Sequence, residues 1–162
     1  MIDIYTELEK RLKDPQLGIG IRHFDLWDNQ FENTSEAFPY PLPAAYLEIE
    51  NEEVSTLGDK VLLVASTLRL HIGCKDYRPT KTGAKVTTGK GVLLLAAKIT
   101  ENLHGWNSGK FGTLTQTDRR SIPSSGYLYR AEQVYETTYK DYSANPTRAS
   151  NSGQNIELNV GL

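Results

Sequence analysis

Residues 61–74 read VLLVASTLRLHIGC, a long stretch in which alternate side chains differ in character. One alternate set is apolar except for a serine, and it comprises Leu62, Val64, Ser66, Leu68, Leu70 and Ile72. The other set changes from apolar residues to Arg69 and His71 along the stretch. Side chains that alternate in this way line opposite faces of a β-strand. The pattern predicts a long strand with one core face and one face that becomes polar.

A second alternating stretch lies within FPYPLPAAYLEIE, residues 38–50. Ala45, Leu47 and Ile49 alternate there with tyrosine and glutamates, which is typical of a half-buried strand. The prolines before it have no N–H to donate and are tolerated where a strand begins. A proline-rich docking peptide is the alternative, but the alternation that follows at once favours a core strand. A turn around residues 57–59 predicts an antiparallel hairpin between the two strands.

Helical periodicity occurs at two places in the chain. Ile4, Leu8 and Leu12 recur every four residues, and Pro15 predicts that this helix ends near residue 14. A second helix is predicted in residues 89–106, where apolar residues recur at helical spacing before a glycine stop. We expect this apolar helix to lie across the sheet.

Three further stretches predict strands. Residues 19–27 alternate with Ile19, Ile21, His23, Asp25 and Trp27 on one side, and residues 28–42 form a long loop. Residues 111–120 and 127–142 predict a final pair of strands joined by a turn at 121–126. The fold class is therefore α+β, a twisted and mostly antiparallel sheet with two main helices packed on it.

The chain divides into a domain over residues 1–144 and a C-terminal extension over residues 145–162. We expect the extension to be flexible, because it is rich in Asn, Ser and Gly. Its apolar residues alternate, and they are Ile156, Leu158, Val160 and Leu162. The extension either adds as a strand to a neighbour or is an end without consequence.

Composition limits the class of function. The 162 residues are 38% hydrophobic and 23% charged with a net charge of -2, which suits one globular domain without general nucleic-acid affinity. No apolar run approaches the roughly 20 residues that span a bilayer, so we expect no membrane partner. The single cysteine, Cys74, excludes an intramolecular disulfide and a thiolate-rich metal site.

Candidate chemical motifs are weak. GAKVTTGKG, residues 83–91, departs from the phosphate-binding loop in its glycine spacing and in the residue after Lys90. His71 and Cys74 have the spacing of half a metal site, but a strand-end histidine beside a semi-buried thiol is the favoured interpretation. No arrangement supplies a nucleophile, a base and an oxyanion hole together. The sequence therefore predicts no catalytic residues, no metal and no cofactor.

Charge is unevenly distributed around the predicted hairpin. Residues 48–59 contain five acids and no Lys or Arg, whereas residues 75–90 contain five bases and one acid. The hairpin would place the acidic turn at one end of the long strand and the basic loop at the other. Opposite charge at two ends suits head-to-tail contacts, which close into rings, although two solvated loops would have the same composition. The candidate interface residues are Glu50, Glu52, Glu53, Asp59, Lys75, Arg78, Lys81, Lys85 and Lys90.

The order of these segments resembles the small tail terminator and tail-completion proteins of long-tailed bacteriophages. The resemblance covers about residues 2–144 and rests on segments in sequence order. These are DLWDNQ (25–30), PAAYLEIEN (43–51), LLVASTLRLHI (62–72), GVLLLAAKITENLHGW (91–106) and YLYRAEQVYETTYKDYSA (127–144). PAAYLEI matches the family's proline-led core strand, and TENLHGW matches the end of its helix. The extension after Asn145 departs from the shortest members.

The resemblance implies a structural virion protein of a phage, prophage or phage-like particle rather than an enzyme. Such proteins form a hexameric ring that stops growth of the tail tube and docks to the head or neck. The implied partners are other copies of this chain, the tail tube protein and neck or head-completion proteins. DNA would pass through the ring without specific binding. The ring would assemble in the host bacterial cytoplasm and reside in the virion.

The resemblance also implies that residues 74–89 and 51–59 face the channel, a neighbouring subunit or the tube. A head-completion or neck adaptor protein is the alternative in the same class. A small cytoplasmic enzyme or ligand-binding domain is the alternative in another class.

Overall fold

The computed structural model describes residues 2–32, 39–75, 90–123 and 128–145. Within these ranges the chain forms α1 (Ile2–Lys13), β1 (His23–Leu26), β2 (Ala44–Gly58), β3 (Val61–Cys74), α2 (Lys90–Leu103), β4 (Thr115–Ile122) and β5 (Tyr129–Asp141). The strands form one five-stranded sheet in the order β1-β2-β3-β5-β4. Neighbours are antiparallel except β1 and β2. The predicted α+β class, with two helices on a mostly antiparallel sheet, is confirmed.

Both helices pack on one face of the sheet, which we call the helix face. The predicted apolar set of β3 lies on this face, and its Leu68 and Leu70 are almost completely buried. Leu12 of α1 and Leu95 and Ile99 of α2 belong to the same core cluster. The apolar residues that recur at helical spacing and those that alternate along β3 therefore pack in one core. No helix of the described residues is long and apolar enough to cross a membrane.

The strand predicted over residues 19–27 is only four residues long in the structure. Ile19, Ile21 and Phe24 are all buried in the main core, although strict alternation would put Phe24 opposite the two isoleucines. Gly18 and Gly20 adopt positive φ angles of 62° and 82°, which interrupt an extended backbone. The alternation therefore fails at these glycines.

The start of β2 is buried on both faces, so the prediction of a half-buried strand was wrong there. Tyr46 is completely buried, although the alternation placed it on the exposed side. It packs in a second, smaller cluster with Phe31, Ala44 and the partly buried Trp27. The backbone N–H of Trp27 donates to the Leu47 carbonyl at 2.9 Å, so the chain after β1 first runs alongside β2. It then folds over the face of β2 that carries Tyr46.

The predicted antiparallel hairpin is confirmed, with its turn at Asp59 and Lys60. Strand β2 extends to Gly58, so residues 51–58 are a strand and not part of the acidic turn. Ile49 is opposite Leu68 and Asn51 is opposite Thr67, which leaves Glu50 as the extra residue of a β-bulge. The bulge reverses the alternation and puts Glu52 on the helix face. The Tyr139 hydroxyl donates to Glu52 there at 2.6 Å.

Candidate assembly surface

A charged cluster lies on the face of the sheet opposite the helices, which we call the open face. It is built from cross-strand neighbours, because β3 pairs with β2 on one side and β5 on the other, and β5 pairs with β4. Its members are Glu48, Glu50, Arg69, His71, Arg120 and Glu132. The sequence predicts the polar end of β3 and its pairing with β2, but not the pairing with β5 that brings Glu132 into the cluster.

Glu132 is the centre of this charged cluster. Its side chain is only 8% exposed, and its Oε2 accepts from Arg69 Nη1 at 2.8 Å and from Arg120 Nε at 2.7 Å. Burial opposes ionisation, but the two arginine hydrogen bonds outweigh it and hold the pKa of Glu132 below its usual value. Glu132 is therefore a buried carboxylate anion that links strands β3, β4 and β5.

His71 fills the other side of the cluster. Its Nε2 lies 2.7 Å from Glu48 Oε2, and its ring stacks on Trp27 with 3.9 Å between ring centroids. Its Nδ1 lies 3.3 Å from Glu132 Oε1 without hydrogen-bond geometry. Burial lowers the pKa of His71 more than the neighbouring carboxylates raise it. The imidazole is therefore neutral at pH 7, and we assign its hydrogen to Nε2 because the Glu48 carboxylate can only accept.

Two of the candidate interface residues are engaged within the subunit. Glu50 accepts from Arg69 Nε at 2.8 Å, and the half-buried Glu52 accepts from Tyr139. The Glu50 carboxylate is therefore part of the charged cluster, and the Glu52 carboxylate binds Tyr139 on the helix face just after the bulge of β2.

The remaining acidic candidates lie towards the hairpin end of the sheet, and the basic candidates among the described residues lie after β3 and at the start of α2. Asp59 lies in the β2–β3 turn and Glu53 is exposed on β2 five positions before Gly58, whereas Lys75 follows β3 and Lys90 begins α2. β3 has 14 residues, so the two ends are separated by roughly 45 Å. Three further candidates, Arg78, Lys81 and Lys85, lie outside the described residues.

The hairpin end also exposes apolar side chains that the sequence pattern does not predict. Val54 and Leu57 are 58% and 51% exposed. Both lie in the stretch that the sequence predicts as a turn, and an isolated apolar residue in a turn predicts no apolar surface. Strand β1 pairs only with residues 44–47 of β2, so the outer edge of β2 beyond Leu47 has no paired strand among the described residues. An unpaired edge with exposed apolar side chains is available to a neighbouring protein.

A shallow groove crosses the open face near this end, with a volume of about 460 Å3. It is lined mainly by hydroxyl and carboxylate groups, including Glu53, Thr67, Thr115, Glu136 and Thr137. Such a surface offers hydrogen bonds to a protein partner. In the described ranges no three His, Cys, Asp or Glu side chains are grouped to hold a metal ion. Cys74 is 1% exposed, so the thiol predicted to be semi-buried is fully enclosed.

The fold is similar to that of a chain in the virion of a native gene transfer agent (GTA) particle. The TM-score is 0.52 and the sequence identity is 13%. The likeness covers 83% of this chain and 92% of that chain. No protein-family model and no curated protein matches the sequence. At this identity the likeness establishes a shared fold between this chain and a component of a virion.

Proposed function

We propose that this chain is a non-enzymatic structural protein of a phage-like particle, which forms a ring at the head-proximal end of the tail tube and joins it to the neck. The observation that carries the proposal is the fold shared with a chain of the GTA virion over 92% of that chain. A likeness of that extent involves a whole domain rather than a common motif. The segment order in the sequence supports the same class of protein independently of the coordinates.

The two ends of the sheet suit contacts between copies of the chain. Glu53 and Asp59 at one end and Lys75 and Lys90 at the other are complementary in sign. A contact between two different surfaces repeats from subunit to subunit, and it closes into a ring when the rotation permits. The exposed Val54 and Leu57 would supply the apolar part of such a contact.

The mechanism of such a ring is geometric. One face of the ring matches the last layer of the tail tube, and the other face presents a different surface to the neck. Further tube subunits then find no surface like their own, and polymerisation ends without a chemical step. The centre of the ring remains open for DNA.

Polymerisation of the tube protein from the same particle tests this proposal. We expect the full chain to shorten the tubes in proportion to its concentration, as light scattering and electron microscopy would measure. A monomer before assembly is compatible with the proposal. A chain that neither binds tubes nor changes their length at any ratio would contradict it.

A neck or head-completion adaptor is the second candidate, because the fold likeness to a virion chain supports either side of the junction. Binding to the purified portal complex in place of the tube distinguishes the two. Retention by tubes alone favours the tail ring, and retention by portals alone favours the neck adaptor.

A further inference from the structure

The sheet has two edges that carry no paired strand in the described part of the chain. Strand β1 pairs with β2 only as far as Leu47, so residues 48–58 of β2 form one free edge. Strand β4 is the last strand of the sheet and forms the other free edge. Free N–H and C=O groups along such an edge are a template for pairing with another strand.

The free backbone groups of β2 belong to residues whose side chains lie on the helix face. The Leu47 carbonyl accepts from the backbone N–H of Trp27, so the helix-face residues of β2 direct their backbone groups away from β3. Backbone groups alternate between the two sides of a strand. Beyond the bulge of β2 the outward-directed residues are therefore Glu52, Val54 and Thr56.

The free backbone groups of β4 belong to helix-face residues as well. The Thr138 carbonyl accepts from the Gly112 N–H, so the open-face residues of β5 direct their backbone groups towards the β4 side. The open-face residues of β4 bond back to β5. Arg119 and Ser121, which line a groove beside α2, are left as outward-directed residues.

Strand polarity allows the two edges to pair between copies of the chain. Three antiparallel pairings separate β2 from β4, so the two strands run in opposite directions. A second copy that continues the sheet in the same orientation therefore brings its β4 to β2 as an antiparallel neighbour. Because the outward-directed residues of both edges lie on the helix face, the helices of the two copies lie on the same side of the joined sheet.

Exposed apolar side chains meet at this junction. Val54 is 58% exposed on the helix face of the β2 edge. Leu93 of α2 is 53% exposed and lies beside Arg119 of β4, also on the helix face. Joining the edges brings these two side chains to the same face of the junction, where each removes apolar surface of the other from water.

Charge selects one register for the junction. If Val54 is opposite Arg119, then Glu53 is opposite Arg120 on the open face. Arg120 has a carboxylate partner within its own subunit, and its side chain remains 55% exposed. A shift by two residues in either direction loses this pair, and one of the two shifts sets Glu53 against Asp118. Like charges directly opposite each other destabilise a strand pair.

We propose that residues 51–55 of β2 in one copy pair antiparallel with residues 118–122 of β4 in a second copy, with Val54 opposite Arg119. Both segments lie between or beyond the bulges of their strands. Two different edges meet, so the contact repeats from copy to copy and suits a ring. The inference rests on the proposed function, because it specifies the contact between neighbouring subunits of that ring.

Disulfide formation between full chains tests the contact. Ser55 and Asp118 would form a non-hydrogen-bonded pair, in which Cα atoms lie about 4.5 Å apart and a disulfide can form. A tagged Ser55→Cys variant is mixed at high concentration with an untagged Asp118→Cys variant and oxidised. The native Cys74 is 1% exposed and does not compete. We expect a mixed dimer that exceeds the dimer formed by either variant alone.

Thr115→Cys is the control for register. Thr115 is also exposed on the open face of β4, but three residues further along the strand and therefore about 10 Å away. Mixed with Ser55→Cys, it should give little dimer. Equal yields from Thr115→Cys and Asp118→Cys, or no mixed dimer at any concentration, would overturn the proposal.

The apolar part of the contact has its own test. Val54→Asp in the tagged chain should lower the yield of mixed dimer about tenfold, because the burial of one valine contributes roughly that factor. Val54→Ile is the matched control and should keep the yield, because it retains an apolar, β-branched side chain. Equal yields from the two variants would exclude Val54 from the contact and overturn the proposed register.

Residues 155–162 are the other candidate occupant of the β2 edge, because their apolar residues alternate. A chain truncated after residue 154 should form the mixed dimer in the same yield as the full chain. If residues 155–162 occupy the edge instead, the mixed dimer appears only after truncation, which would overturn the proposal.

Polymerisation of the tube protein separates this inference from the proposed function. A chain that shortens tubes but forms no mixed dimer would overturn the strand contact alone. A chain that forms the mixed dimer but leaves the tubes unchanged would support the strand contact and contradict the proposed function.

Discussion

Glu132 is the residue on which the charged cluster depends. Removal of its charge would leave the largely buried Arg69 without its main partner on β5. We expect Glu132→Gln to lower the free energy of unfolding by roughly 3 kcal/mol, as for other broken buried pairs. Glu101→Gln is the control, because Glu101 is 66% exposed and pairs with Lys98 on the helix surface. Denaturant unfolding that gives both variants the same small effect would contradict this role.

The cluster also predicts a pH dependence. The pKa of His71 lies below its ordinary value of 6.5, so the unfolded chain binds this proton more readily than the folded chain. The stability that neutral His71 contributes is complete above pH 6.5 and declines as pH falls towards its folded pKa. The pKa of Glu132 also lies below its ordinary value of 4.5, so the stability that ionised Glu132 contributes declines as pH falls below 4.5.

We therefore expect the free energy of unfolding to fall with acidification, first through His71 and then through Glu132. His71→Gln should flatten the first part of that decline, and denaturant unfolding across the pH range would measure it. A wild-type chain that becomes more stable between pH 6.5 and pH 4.5 would show that the sign is wrong.

At the scale of elements, the sequence predicts the long strand β3, the hairpin and both helices because their side chains alternate or recur over many residues. Leu62 to Ile72 and Ile4 to Leu12 are such runs. Two features of the fold cannot be predicted from such local patterns. The bulge at Glu50 has no marker in a stretch of polar residues, and the pairing of β3 with β5 joins residues 55 or more positions apart. The charged cluster depends on that pairing, so no local pattern could reveal it.

The hairpin turn contains unfavourable backbone conformations. Asp59 and Lys60 both have positive φ angles, of 50° and 59°, as a two-residue turn of mirror type requires. Lysine is strained there, so Lys60→Gly should raise the free energy of unfolding by up to about 1 kcal/mol.

Gly58 provides the converse substitution. Its φ angle is +88° and a Cβ there would meet nothing within 4 Å, so Gly58→Ala tests backbone strain alone. We expect it to destabilise the protein by about 1 kcal/mol. Thermal or denaturant unfolding would measure both variants. Opposite signs support the turn geometry, and a loss of stability in Lys60→Gly would contradict it.

At the scale of the whole molecule, the proposed ring makes the separated charges an assembly contact. Glu53 on β2 and Lys90 at the start of α2 are both exposed, so they test that contact without disturbing the core. We expect Glu53→Lys or Lys90→Glu alone to weaken self-association at low salt, and the double variant to restore part of it. Sedimentation would measure the effect. Unchanged association in both single variants would exclude these charges from the contact.

The position of the chain in an intact particle tests the central claim most directly. A tagged copy, incorporated into particles and labelled with gold, can be located by electron microscopy. The account predicts one cluster of label per particle, at the junction of head and tail. Label along the tail shaft or at its distal end, or particles that never contain the chain, would contradict it.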